Sequence, residues 1–229
     1  MSPVPPGKRL PKVAALLSAL AAGLLASASP AATEEAPFIP EAAKEGVAEG
    51  NAAFLKKDYA RARKAFEKVL GLMPESLVAL VNLGLVEFYS GHPKRAEELL
   101  RRAVSVRLEN PAAWLTLGMI YMDAEKFDEA LAALSQAMVQ DPRNARIRNF
   151  LGVVIGRKGW LDGAQSELRR AVELDPGYAE AHYNLAVFYL EEKPPAIELA
   201  RRHYYRSVEL GAEKDAAIEK VLNSGPGTR

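Results

Sequence analysis

The sequence predicts an all-α fold in which one pair of helices is repeated five times. Small residues recur at a constant interval of 34 positions, and the first such series comprises Gly50, Gly84, Gly118, Gly152 and Ala186. Within each interval, two segments place apolar residues three and four positions apart, which is the spacing of one helix face. Two intervals end in Asp-Pro, at Asp141 and Asp175, where proline stops a helix. This period predicts a stack of helix pairs rather than a single globular core.

The boundaries of the five units follow from the period. We place them at 43–76, 77–110, 111–144, 145–178 and 179–214. Two further series of small residues keep the interval through the fourth unit and then lengthen it to 36, as from Ala164 to Ala200. The two extra residues therefore fall between Ala186 and Ala200, where the turn Lys193-Pro194-Pro195 can absorb them. Residues 215–222 predict a final helix that covers the apolar face of the fifth unit.

The third unit carries the most complete motif. A pattern W-x2-L-G-x2-Y, followed by two spaced alanines and a proline, is formed by Trp114, Leu117, Gly118, Tyr121, Ala130, Leu134, Ala137 and Pro142. This pattern resembles that of the tetratricopeptide repeat (TPR) family. The first and fifth units diverge from it, and Glu49 stands where a buried leucine is usual. The resemblance implies a right-handed α-solenoid of five TPR helix pairs over residues 41–222, with a C-terminal capping helix.

The N-terminus has the features of an export signal. Basic residues within 8–12 precede an uncharged apolar run from Val13 to Leu25, and small residues follow as far as Ala28. This order predicts a signal peptide over residues 1–28 with cleavage after Ala28. The apolar run is shorter than the ~20 residues that a helix needs to cross a bilayer. We therefore expect an exported protein, periplasmic or secreted, with an uncleaved N-terminal anchor as the alternative.

Composition narrows the chemistry available to the chain. The 229 residues include no cysteine, which excludes thiolate catalysis, disulfides and cysteine-containing metal sites. The net charge of +1 becomes −2 without residues 1–28, because the predicted signal contains three basic and no acidic residues. This balance disfavours a nucleic-acid binder, whose domain is usually strongly basic. Residues 29–40 predict a flexible linker, and residues 223–229 predict a disordered tail.

No catalytic, cofactor-binding or metal-binding site is predicted. The three histidines, His92, His182 and His203, lie in different segments and lack the spacing of metal ligands. No glycine-rich phosphate loop and no nucleophile elbow is present in the sequence. We therefore interpret the histidines as packed or solvated side chains and expect no enzyme activity.

Two residues depart from the repeat pattern, and their roles are left open. Glu87 stands where Tyr121 and Tyr189 occur in other units. A carboxylate between helices must form an ion pair, reach solvent or take up a proton, and we expect a basic partner. Trp160 lies in the turn of the fourth unit, where local packing and an edge contact with a partner are the two interpretations.

The TPR resemblance implies a groove lined by the first helices of successive units. The positions that usually face this groove give the following predicted groove residues: Asn82, Leu85, Tyr89, Leu115, Met119, Met122, Asn149, Phe150, Val153, Arg157, Tyr183, Asn184 and Val187. The set is mostly apolar, and a contiguous apolar surface usually marks an interaction site. Packing of these side chains between neighbouring first helices is the alternative.

The sequence thus predicts a non-enzymatic scaffold or adaptor that binds a protein segment in its groove, within a bacterial envelope assembly. We expect an apolar protein or peptide segment as partner, with no cofactor, no nucleic acid and no membrane insertion of the mature form. A self-associating structural protein that forms a homo-oligomer is the alternative. A cofactor-free enzyme that uses Glu87 or His182 is a remote one.

Overall fold

A computed structural model of the chain describes residues 39–224, and all regular secondary structure in this range is helical. The helices are α1 (Glu41–Leu55), α2 (Tyr59–Leu72), α3 (Leu77–Tyr89), α4 (Pro93–Val106), α5 (Pro111–Asp123), α6 (Phe127–Gln140), α7 (Ala145–Arg157), α8 (Leu161–Leu174), α9 (Ala179–Glu191), α10 (Ile197–Glu209) and α11 (Ala216–Ser224). The predicted all-α arrangement of consecutive helix pairs with a C-terminal capping helix is confirmed.

Polar side chains and prolines start several of these helices. Asp58, Ser76, Asn110 and Asn144 each accept a hydrogen bond from a backbone N–H in the first turn of the helix that follows. Such caps satisfy amide groups that have no partner within the helix. Pro111 occupies the first turn of α5, where its missing N–H costs nothing. These residues mark the positions at which several of the helices begin.

The described residues form two compact units. Unit 1 spans residues 39–125 and contains α1 to α5, and unit 2 spans residues 126–224 and contains α6 to α11. In unit 1, α1 packs on α2, α2 on α3, α3 on α4 and α4 on α5. In unit 2, each helix from α6 to α10 likewise packs on the next, and α11 packs on α10. Each unit is thus held by contacts between elements that are close in sequence.

Glycines at the 34-residue interval permit the helices of a pair to touch. A Cβ atom at Gly84 would lie 2.8 Å from Cγ of Leu100, and one at Gly152 would lie 2.8 Å from Cγ of Leu168. Both distances are shorter than van der Waals contact, so a side chain at either position would push the paired helices apart. The period identified in the sequence is therefore a period of close helix contacts.

The fifth helix pair differs from the others in its longer internal loop and in the additional helix that follows it. Residues 192–196 form a loop of five residues where the equivalent loops of the other pairs have three, at the place that the two extra residues predict. The last helix, α11, covers α10 with Leu222 fully buried. Asp215 precedes it and donates its backbone N–H to the Tyr204 hydroxyl at 2.7 Å. The apolar face of α10 is thereby shielded from water.

Several predicted segments lie outside the described residues. They are the signal peptide with its cleavage position after Ala28, most of the 29–40 linker, and the last five residues of the predicted tail. Among the helices of residues 39–224, none has both the length and the apolar character required to span a membrane.

Candidate partner-binding surface

The predicted groove residues lie on four first helices, α3 and α5 in unit 1 and α7 and α9 in unit 2. Ten of the thirteen are buried, namely Asn82, Leu85, Leu115, Met119, Met122, Asn149, Phe150, Val153, Tyr183 and Asn184. Tyr89 and Val187 are half-buried, and Arg157 is exposed. Within each unit the two first helices pack against each other. The structure therefore brings together the α3 and α5 residues, and separately those of α7 and α9.

In unit 1, two asparagines connect the first helices. Asn82 on α3 donates its amide N–H to Oδ1 of Asn51 on α1 at 3.0 Å. The amide oxygen of Asn82 is buried and has no hydrogen-bond partner among the described residues. A buried acceptor without a donor costs about 1–3 kcal/mol. Asn82 thus holds the two helices together while one of its polar atoms is unsatisfied.

Unit 2 repeats this arrangement. Asn184 on α9 donates to Oδ1 of Asn149 on α7 at 2.9 Å, and Asn149 in turn donates to the Tyr178 hydroxyl at 3.3 Å. The amide oxygen of Asn184 is buried, and within residues 39–224 no group donates to it. Burial raises the pKa of Tyr178 far above its ordinary value, so this hydroxyl stays protonated. Both units therefore present an asparagine pair with one unsatisfied oxygen.

Charged residues flank the asparagine pair of unit 2. Glu180 is one turn before Asn184 on α9, and partial burial raises its pKa while the charge of Arg146 on α7 opposes the rise. At the other end of α9, burial raises the pKa of Glu191, again opposed by an arginine of α7, Arg157. Both carboxylates thus face a cation on the neighbouring first helix. The two charges at each end offset one another, so this face has no strong preference for either sign of partner.

An aromatic cluster closes the end of the first helices in unit 1. The Phe54 and Tyr89 rings meet edge to face with centroids 5.5 Å apart, and Tyr59 stacks on Tyr89 at 6.2 Å. Phe88 contacts Tyr89 at 5.7 Å. Edge-to-face and offset arrangements of this kind are favourable beyond the area they bury. The cluster holds Tyr89, one of the predicted groove residues, in a defined orientation.

Glu87 has the basic partner that the sequence predicts. Its carboxylate is 1% exposed and receives two hydrogen bonds from the Arg63 guanidinium, at 2.7 and 3.0 Å. Arg95 lies 3.4 Å and His92 3.2 Å from the same carboxylate. Burial by itself would raise the pKa of Glu87, but the Arg63 hydrogen bonds and the charges of Arg63 and Arg95 lower it below its ordinary value. Glu87 is therefore an ionised link between α2 and α3, and its charge is used in packing.

An equivalent contact occurs one repeat of 34 residues later, between α4 and α5. Arg63 and Glu87 are separated by 24 positions, and so are Glu97 on α4 and Tyr121 on α5, whose hydroxyl donates to Glu97 at 2.9 Å. Arg101 donates to the Tyr121 hydroxyl at 3.0 Å. The two sites pair different residue types at equivalent positions. The departure of Glu87 from the repeat pattern is thus matched by a change in its partner.

Two histidines that lie apart in the sequence form a pair in unit 2. Nδ1 of His182 on α9 lies 2.9 Å from Nδ1 of His203 on α10, and Nε2 of His182 lies 3.3 Å from the Pro176 carbonyl. Burial, followed by the charges of His182 and Arg202, lowers the pKa of His203 to about 4. Burial also lowers the pKa of His182. Both rings are therefore neutral at pH 7, with one ring donating to the other.

Trp160 lies at the start of α8 and is 56% exposed. The ammonium group of Lys158 is 5.3 Å from the centre of its ring, and Lys158 also forms an ion pair with Asp128 on α6. The cation lies over the aromatic face, where the attraction is favourable. The local packing interpretation of Trp160 is therefore supported by the Lys158 contact, and the edge contact with a partner stays a prediction.

The buried polar groups of the described residues are mostly hydrogen-bonding amides and hydroxyls. Among residues 39–224, no group of three or more histidine, aspartate, glutamate or cysteine side chains is arranged to hold a metal ion. Amides and hydroxyls donate and accept hydrogen bonds without proton transfer at pH 7.

Comparison with known proteins identifies the repeats. Two family models, both described as tetratricopeptide repeat, match residues 87–153 and 167–203. Tetratricopeptide repeat protein 8 of Caenorhabditis elegans is 26% identical over 149 residues, covering 64% of this chain and 29% of that protein. A barley (Hordeum vulgare) protein named as probable UDP-N-acetylglucosamine–peptide N-acetylglucosaminyltransferase SPINDLY is 34% identical over 164 residues, covering 65% of this chain and 17% of that protein. The chain thus spans less than a third of these curated relatives.

Solved structures show the same fold. Pseudomonas aeruginosa PilF superposes with a TM-score of 0.72 at 20% identity, over 80% of this chain and 83% of that chain. A thermophilic TPR protein of Thermus thermophilus superposes with a TM-score of 0.66 at 22% identity, over 80% of this chain and 97% of that one. With the helix pairs of both units, the two family matches show that this chain contains tetratricopeptide repeats.

Proposed function

We propose that the protein is a non-enzymatic scaffold that holds a segment of a partner protein along its first helices, within a bacterial envelope assembly. The observation that supports this proposal most directly is the unsatisfied amide oxygen of Asn82 in unit 1 and of Asn184 in unit 2. Each is an acceptor in a setting from which water is excluded. The backbone N–H of an added segment is a donor that every partner sequence carries.

The surroundings of these oxygens define the chemistry of the segment. In unit 2, Phe150 and Val153 lie on α7 near Asn149, and Val187 lies on α9 three residues after Asn184. Apolar side chains of a partner gain free energy by leaving water against such residues, at about 25 cal/mol per Å². Because ten of the thirteen predicted groove residues are buried, the segment would reach them by widening the space between neighbouring first helices. The proposed partner is therefore an apolar segment with free backbone N–H groups.

The cellular setting belongs to the same proposal. The basic, apolar and small-residue order of residues 1–28 favours export. The absence of cysteine suits an oxidising compartment, since no thiol can be mispaired there. We therefore place the scaffold in the periplasm or outside the cell, with an uncleaved N-terminal anchor as the alternative.

Site-specific photocrosslinking tests the surface. A photoreactive phenylalanine analogue at Val187 would lie beside the asparagine pair, and the matched control at Val139 would lie on the 79% exposed position of α6. In native cells we expect crosslinks to a partner protein from Val187 and none from Val139. Equal crosslinking from the two positions would contradict the assignment.

A substitution tests the role of the amide. Asn184→Ala removes the unsatisfied oxygen, whereas Gln136→Ala removes an exposed amide of α6. We expect Asn184→Ala to weaken partner binding about two- to tenfold, the worth of one hydrogen bond, with unchanged helical circular dichroism. The Gln136 variant should bind as wild type does. A Val187 crosslink between two copies of this chain would instead assign the surface to self-association, the alternative function.

A further inference from the structure

Charge is unevenly distributed between the two kinds of helix in unit 1. The second helices are basic: α2 has four basic residues and one glutamate, and α4 has four basic residues and two glutamates. The first helices α1, α3 and α5 together have five acidic residues and one lysine. In unit 2 the second helices are not basic as a group, since α6 has two acidic residues and no basic one. The positive face is therefore particular to unit 1.

Exposed basic side chains lie along both α2 and α4. We define the basic face as Arg61, Lys64, Lys68, Lys94, Arg101 and Arg102, all of which are exposed or half-buried. Arg95 of α4 pairs with Glu67 of α2 at 2.7 Å, so the two helices contact each other through exposed side chains. Two residues of the basic face already have acidic partners, since Arg61 pairs with Glu49 and Arg101 with Glu97. Lys64 and Lys68 take part in none of the ion pairs found among the described residues with Glu49, Glu67, Glu87 or Glu97. Their charges are available to an external anion.

Exposed aliphatic side chains lie on the same helices, one turn beyond the cations. Leu72 follows Lys68 by four residues and is 47% exposed, and Val106 follows Arg102 by four residues and is 41% exposed. Residues four apart lie on the same helix face. Arg102 also donates to the Pro74 carbonyl at 3.0 Å, which brings the end of α4 to the loop that follows Leu72. Cations and aliphatic groups thus share one surface.

We propose that the basic face docks unit 1 on an anionic lipid surface. Each lysine or arginine near such a surface strengthens adsorption about fivefold, and the effect is lost within a Debye length. The aliphatic side chains add to this by entering the boundary between headgroups and acyl chains. Docking of this kind requires no helix that spans the bilayer. It is also independent of the proposed function, because it uses the second helices and none of the predicted groove residues.

The composition of the face favours a lipid surface over a nucleic acid. Single-stranded nucleic acids are bound by aromatic side chains that stack on bases, together with cations. None of the residues on the basic face is aromatic, and the apolar residues beside it are Leu72 and Val106. Aliphatic groups gain nothing from phosphates but do gain from burial in lipid. Binding of a nucleic acid is accordingly an outcome that would overturn the proposal.

Vesicle binding of the full chain tests the charges. Lys64→Glu/Lys68→Glu reverses two exposed charges on the basic face, and Arg169→Glu/Arg170→Glu makes the same change of net charge on α8 of unit 2. With phosphatidylglycerol vesicles at low salt, we expect the first variant to lose at least about 25-fold in partition coefficient, and the second to stay within about twofold of wild type. Equal losses of partition coefficient in the two variants would mean that binding depends on net charge alone. An unchanged partition coefficient in the first variant would mean that the basic face does not bind the vesicles. Either result overturns the proposal.

Labelling tests the contact directly, because the chain has no cysteine. Single variants Leu72→Cys and Val106→Cys would carry an environment-sensitive dye, with Val139→Cys, 79% exposed in unit 2, as the control. Anionic vesicles should shift the emission of the first two labels to the blue and leave the control unchanged, with no shift on zwitterionic vesicles. The proposal is refuted if the emission of the labels at positions 72 and 106 shifts no more than that of the control label. It is also refuted if double-stranded DNA or heparin, in place of vesicles, causes the shift.

Discussion

The contact between Arg63 and Glu87 can be exchanged for the one found in the next pair of helices. Both sites join a second helix to the following first helix at a separation of 24 residues, with Glu97 and Tyr121 as the second pair. The combination Arg63→Glu/Glu87→Tyr would install the second pair at the first site. This double variant tests whether the residues at positions 63 and 87 stabilise the fold as a coupled pair or independently of each other.

The expected changes in unfolding free energy follow from how deeply Arg63 and Glu87 are buried. Removing one member of a fully buried ion pair costs about 3–5 kcal/mol. The Glu87 side chain is 1% exposed but that of Arg63 is 28% exposed, so the arginine is able to turn partly toward water. We therefore expect Glu87→Tyr alone to cost about 2 kcal/mol of unfolding free energy. Arg63→Glu alone places two carboxylates together and should cost about 3 kcal/mol, although Arg95 and His92 remain near Glu87.

In the combined variant the new hydroxyl and the new carboxylate can form the hydrogen bond seen between Tyr121 and Glu97, at 2.9 Å. Coupled residues in contact show interaction energies of about 0.5–3 kcal/mol. We expect the double variant to be destabilised by about 2 kcal/mol less than the sum of the single variants. Glu67→Gln, at a carboxylate 44% exposed, is the control and should cost less than about 0.5 kcal/mol.

Urea denaturation followed by circular dichroism measures these free energies, provided that the slope of the transition is the same in all variants. Strict additivity of the two single substitutions would refute the reasoning. It would show that Arg63 and Glu87 contribute separately, and that their correspondence with Glu97 and Tyr121 has no energetic meaning.

Two further predictions concern helix packing and pH. Gly152→Ala should destabilise the protein by about 1–3 kcal/mol in urea denaturation, because its Cβ would lie 2.8 Å from Cγ of Leu168. Gly71→Ala, whose added Cβ would meet nothing within 4 Å, should stabilise it by about 0.5–1 kcal/mol in the same assay. Equal effects of the two substitutions would contradict the close contact at Gly152. Folding lowers the pKa of His203 from ~6.5 to about 4. The folded state therefore binds fewer protons than the unfolded state between these two values, and the stability that is present above about pH 6.5 is lost as the pH falls through about 4. His203→Gln should therefore lose about 2 kcal/mol less than wild type between about pH 7 and pH 4 in urea titrations, and an unchanged pH dependence would exclude the histidine pair as its source.

The helical repeat was accessible from the sequence because its determinants are local. Spacing of three and four residues encodes a helix face, and a period of 34 encodes the return of that face in the next pair. Gly84 and Gly152 appear in the sequence as members of one series, and in the structure they are the points where paired helices touch. The five-residue loop before α10 was likewise predictable from the residue count. Two residues inserted within a helix would shift its apolar face, so they are accommodated in a loop instead.

The contact partners of individual polar side chains were harder to predict from the sequence. The sequence predicts that Glu87 has a basic neighbour, but Arg63, Arg95 and His92 are all within its reach along the chain. The pairing of His182 with His203 was missed, since histidines 21 residues apart carry no ligand spacing within one helix. A search for polar residues at matched positions of the two helices of a pair would have found it.

The sequence by itself determined the helices, their pairing and the family to which the repeats belong, because each of these depends on periodic contacts between neighbours in the chain. Only the tertiary structure decided which polar atoms meet and how deeply the predicted groove residues are buried. Those outcomes depend on small differences in distance between packed helices, which no residue pattern specifies. The asparagine pair of Asn149 and Asn184 illustrates the difference: their positions are periodic, but the oxygen without a donor exists because of how α7 and α9 pack.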